Sequence, residues 1–173
     1  MPIPTSALLP HLSAVAPYLT PSVMTNLGVG GYHLMVGLVT GVMKYGQIAV
    51  SKNAVAHPYI STAHRASLMY GFASVQMAAM AALSSYSETT NMTATVAAQA
   101  YFVQAVILYV VHGLLRDTTN QLKSPHKLGE KHTLPGWMVH GFMGTLVLAE
   151  IGGVGVLFAG MLKTFAKIYA STR

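Results

Sequence analysis

The sequence predicts an all-α protein, an integral membrane bundle of four helices. Three observations lead there. Apolar residues make up 53% of the 173-residue chain and charged residues only 8%, where a soluble domain carries about a quarter. Mean hydropathy is +0.49. Four apolar stretches are each long enough to cross the membrane, since roughly 30 Å of hydrocarbon takes about 20 helical residues.

The stretches run over about 23–43, 65–83, 94–115 and 137–162. Lipid offers no partner to an open backbone N–H or C=O, so each must be a helix. Ahead of them, residues 1–22 carry Pro2, Pro4, Pro10, Pro17 and Pro21 and no basic residue. That segment reads as a short extended or surface-lying leader, not a signal peptide. The first stretch holds Gly37 and Gly41 in "GLVTG", the small-residue spacing through which helices approach closely in lipid. The second opens on "AHRASLMYG" (63–71) and is rich in alanine. The third carries Tyr101, Gln104, Tyr109 and His112; the fourth follows Leu134-Pro135-Gly136-Trp137 and carries Glu150 among many glycines.

The connections 44–64 and 116–136, together with Arg65, hold seven of the ten Lys and Arg residues. The basic tail 163–173 holds the other three. By the positive-inside rule the two loops are cytosolic, with the termini opposite. The membrane would be that of the ER in a eukaryote or the inner membrane in a bacterium. The net charge of +6 suits anionic headgroups. No basic run with interleaved aromatics suggests nucleic acid.

Several chemistries are excluded. There is no Cys, hence no disulfide, thiolate site or cysteine nucleophile. Asp117 is the sole aspartate and lies in a loop, so no Ser/His/Asp set is suggested. No HExxH, paired-carboxylate or phosphate-cradling motif occurs. One four-span unit is also too small for a transporter built from inverted repeats.

Depth sorts the remaining polar residues. His64 sits at the loop-side boundary, and Tyr70 lies roughly 9 Å further in, at a rise of about 1.5 Å per residue. Tyr109 is at similar depth. His112 and His140 are shallower and read as interfacial side chains that snorkel. A second layer near the midplane comprises His33, Gln76, Gln104 and Glu150, roughly 15–20 Å deep. Ionisable groups at that depth are rare and tend to mark function. Glu150 is the costliest, and pairing with His33 or a glutamine would lower its cost. His33 and Gln76 also suit interhelical hydrogen bonding. The methionines read as core filler.

Imidazole, hydroxyl and amide groups around an apolar cavity suit haem, which one histidine can hold while the opposite face stays open to substrate. A bis-histidine electron carrier pairing His64 with His112 or His140 is the neighbouring possibility. A cofactor-free cyclase or isomerase with Glu150 as general acid is the third.

"GLVTG", Ala63-His64, and the five-residue spacing from there to Tyr70-Gly71 resemble the hydroxylaminobenzene mutase and styrene oxide isomerase family, over about residues 27–160. These are small four-span membrane isomerases. The resemblance implies haem b on His64, lying between subunits of a homotrimer, with ferric iron as a Lewis acid. It implies rearrangement of an apolar epoxide to a carbonyl, a Meinwald reaction, or of an arylhydroxylamine. By position Tyr70 stands where the family usually has asparagine. Tyr109, or less closely Tyr101, matches a pocket tyrosine. The site set expected is therefore His64 as metal ligand, Tyr70 and His33 beside the cofactor, and Tyr70, Tyr109, Glu150 and Gln104 as catalytic groups. A membrane interior would keep a developing cation dry, so that it rearranges before it hydrates.

Overall fold

A computed structural model describes residues 14–173. The first part of the leader, including Pro2, Pro4 and Pro10, lies outside the described residues. Among the described residues a 3-10 turn, Ala16–Tyr18, precedes four helices: α1 (Pro21–Val50), α2 (Pro58–Ala82), α3 (Glu88–Leu115) and α4 (Gly136–Ser171). Two of them, α3 and α4, are long and apolar enough to cross a membrane. The first two, also expected as spans, have the length but carry more polar groups, such as Asn26, His33, Ser67 and Ser74.

Local chemistry sets the helix ends. Pro21 and Pro58 occupy the first turns of α1 and α2, where the missing N–H costs nothing. The His57 ring caps α2 by accepting from the Tyr59 N–H at 3.3 Å. Ser87 caps α3, accepting from the Thr90 N–H at 3.2 Å. Arg116 closes α3 in a left-handed conformation, φ 53°, a common way to end a helix.

Two expectations are corrected here. The first loop is not 44–64 but Ser51–His57, because the helices flanking it extend to Val50 and from Pro58. His64 is thus six residues inside α2, not at its mouth. The second loop carries regular structure. It holds an antiparallel hairpin, β1 (His126–Leu128) and β2 (His132–Leu134), paired His126 with Leu134 and Leu128 with His132. Gly129 turns it at φ 74°, which glycine adopts without strain. The basic tail continues α4 to Ser171.

The core joins Met77, Ala78 and Ala81 of α2, Ala94, Ala98 and Phe102 of α3, and Leu157 of α4. α1 lies on α2, and α4 lies mainly on α3. Gly153 brings α4 close: a methyl group there would lie 2.5 Å from the Ala94 carbonyl oxygen. Nearer the hairpin a cleft opens between the two helices, and the exposed Gly141 and Gly144 have nothing within 4 Å of an added methyl.

Candidate functional site

The two quoted motifs meet in space. The half-buried His64 ring lies on the "GLVTG" face of α1, where its Nδ1 is 2.7 Å from the Gly37 carbonyl oxygen. A carbonyl only accepts, so Nδ1 carries the proton and Nε2 is the free lone pair. A methyl at Gly41 would stand 2.9 Å from the ring's Cε1. The glycine therefore makes room for the imidazole, and a backbone acceptor orients it. Metal-ligating histidines are commonly held this way, by an Nδ1–H to a carbonyl with Nε2 presented outward.

Tyr70 does not share this face. Its ring stacks on Phe102 of α3 at 4.2 Å and lies 5.7 Å from His33 of α1. Tyr109 stacks on Tyr59 at 5.8 Å. Both tyrosines are within electrostatic reach of Glu150 of α4. Tyr70, Tyr109 and Glu150 thus converge between α2, α3 and α4, apart from His64. Glu150 Oε1 is buried with no hydrogen-bond partner among the described residues. His33 is fully buried, and neither ring nitrogen has a partner among the described residues. The expected pairing of Glu150 with His33 does not form.

Gln104 and Gln76 are both exposed on the outside of their helices. Gln104 lines a cleft between α3, α4 and the hairpin. Tyr101 packs on Phe142 of α4, and the exposed His140 meets His126 edge-on at 5.6 Å. His112 is a correction. It does not snorkel but is 4% exposed, and its Nδ1 is 2.9 Å from Asp117 Oδ1.

The midplane glue also differs from expectation. Gln99, not Gln76 or Gln104, binds the bundle interior: its Nε2 donates to Asn26 Oδ1 at 2.7 Å and its Oε1 accepts from Ser74 Oγ at 3.1 Å. Asn26 Nδ2 donates in turn to Thr95 Oγ1 and the Ser22 carbonyl, both at 2.9 Å. Glu88 ends the seam, accepting from the Ser22 N–H at 2.6 Å and its hydroxyl at 3.0 Å.

Sequence reasoning missed Tyr59, Asp117 and Gln99. For Asp117 a signal existed: it follows His112 by five residues, close enough for a helix-ending turn to fold it back. No group of three or more His, Asp or Glu that could hold a metal ion occurs among the described residues. A haem asks for less, a single axial imidazole. No family model, curated protein or solved structure matches this chain.

Proposed function

We propose that the protein is a membrane-embedded isomerase carrying haem b on His64. The observation that carries this reading is the His64 imidazole, oriented by Gly37, given room by Gly41, and left with Nε2 free. The residues present fit the group. Ferric haem would supply Lewis acidity toward the oxygen of an apolar epoxide or an arylhydroxylamine. The chain's own side chains do the rest. Apolar walls exclude water at His64, whereas Tyr70, Tyr109 and Glu150 form a separate cluster between α2, α3 and α4 whose hydroxyls and carboxyl serve the second reading below.

The membrane setting is part of the proposal. All four helices cross the bilayer, with the Ser51–His57 and hairpin loops on the cytosolic side. Support comes from the large apolar side chains left outside, among them Met69, Phe72, Leu148 and Ile151, each at least 70% exposed. Surface of that kind suits lipid or a neighbouring subunit. The half-exposed position of His64 suits a haem shared between subunits of a homotrimer.

The absorption spectrum of detergent-purified protein from haem-replete cells tests the reading. A Soret band is expected, and His64→Ala removes it while helicity is retained. A colourless wild-type preparation overturns it.

A second reading draws on Glu150, whose unpartnered carboxyl near two tyrosines also suits a cofactor-free isomerase or cyclase with this residue as general acid. Activity in haem-free protein, lost in Glu150→Gln, selects it. The bis-histidine electron carrier has less support. His112 is occupied by Asp117 and His140 lies against His126, whereas His64 lies against α1.

A further inference from the structure

The loop end of α3 holds a second oriented imidazole. Arg116 turns the chain so that Asp117 folds back on His112. Burial by itself pushes the Asp117 carboxyl up, but hydrogen bonds from the Gly129 N–H (2.6 Å) and from His112 hold it below the usual carboxylate range. With Nδ1 held by Asp117, Nε2 is the ring atom left open to a ligand. Tyr59 covers the ring from α2, with centroids 5.4 Å apart.

His112 lines the cleft between α3, α4 and the hairpin, about 350 Å³ in volume. Its walls are apolar, including Ile107, Leu108, Met138 and Phe142. Its polar end includes Gln121, whose Oε1 is buried with no partner among the described residues. The Gln121 backbone, by contrast, is bonded: its N–H donates to the Tyr59 hydroxyl at 2.5 Å, and its carbonyl accepts from His126 Nδ1 at 3.2 Å. An apolar cleft therefore carries an unfilled buried acceptor, Gln121 Oε1, and an unfilled acceptor out of water is costly until a donor arrives. Apolar walls with a few placed polar groups are what small-molecule sites consist of.

We infer that this cleft binds a small apolar molecule bearing a hydroxyl or N–H, whose hydrogen is accepted by Gln121 Oε1 beside His112. A donor-free epoxide or ketone fits it poorly. The site is thus distinct from the epoxide chemistry proposed at His64, and it stands if His64 binds nothing.

Fluorescence titration of the full-length protein in lipid nanodiscs tests the inference, with 2-naphthol as probe and 2-methoxynaphthalene as its donor-free counterpart. Saturable 2-naphthol binding is expected, about tenfold tighter than the methyl ether. Gln121→Leu removes most of that preference and leaves the affinity for the ether unchanged; a preference that survives it overturns the inference. Met138→Trp, which fills the cleft, abolishes binding of both probes. Equal affinity for the two probes, or 2-naphthol binding that survives Met138→Trp, overturns the inference. So does a phospholipid chain that neither probe displaces.

Discussion

The two ends of the bundle are built on opposite principles. At the end away from the hairpin, Ser22, Asn26, Ser74, Thr95 and Gln99 bond one another across three helices, and Gly153 lets α4 touch α3. Toward the middle and the hairpin, polar groups have no partner among the described residues: both nitrogens of His33, Oε1 of Glu150 and Oε1 of Gln121. There α4 stands away from α3 and leaves a cleft. One unfilled atom, Asn91 Oδ1, does lie at the closed end. The contrast teaches which polar residues hold the fold and which are free for a ligand. A buried network that is fully bonded specifies packing, and buried groups without partners call for another explanation.

The sharpest way to break this contrast is to load the two halves of α4 equally. Gly153→Leu should cost about 3 kcal/mol, because the obstacle is backbone that cannot swing aside. Gly144→Leu should stay within about 0.5 kcal/mol. Thermal unfolding in detergent measures both, and similar losses would mean that the cleft closes in solution. Next in size, Gln99→Ala strands Asn26 and Ser74 and should cost about 1–3 kcal/mol, at the lower end if the unfolded helices find other partners in the membrane.

His33→Leu should have the opposite sign. Removing an imidazole with no partner should leave stability unchanged or raise it by about 1 kcal/mol, while any activity that uses the ring is lost. A loss of stability like that of Gln99→Ala would place His33 among the structural groups.

The smallest effect is acid sensitivity, which should belong to the hairpin end alone. Burial, then the Arg116 charge, lower the His57 pKa despite Asp117 nearby. Its contribution to stability is therefore full above its ordinary value of 6.5 and is lost as pH falls through the lower folded value. Asp117 is also lowered in the folded state. Its contribution is full above about 3.9 and is lost as pH falls through its own folded value. His57→Asn, which keeps a capping side chain, should flatten the first loss, and Asp117→Asn the second. Each appears as a Tm decrease on acidification that the wild type shows and the variant lacks. Seam variants should leave both losses in place.

Much of the fold was legible in the residues. The four apolar stretches lie within the four helices, the last two with the apolarity of a membrane span. "GLVTG" marked a real close approach, with His64 seated on it. The loop boundaries were less legible. Polarity marked 44–64 as loop, but Lys44 and Tyr45 at one end and Thr62 and His64 at the other are helical. Backbone bonding within a helix does not require apolar side chains.

Depth along a helix follows from position alone, because rise per residue is constant. Depth therefore placed His64, Tyr70, Tyr109, His112 and His140 toward one end of the chain's helices. Direction around the bundle does not follow from one sequence, because it depends on which helices pack together. Only the tertiary structure turned His64 toward α1, Tyr70 toward Phe102, and Gln76 and Gln104 outward. It chose Gln99 for the interior seam and folded Asp117 onto His112. Composition determined that the chain would be helical and apolar; packing decided which polar groups were satisfied and which were left open.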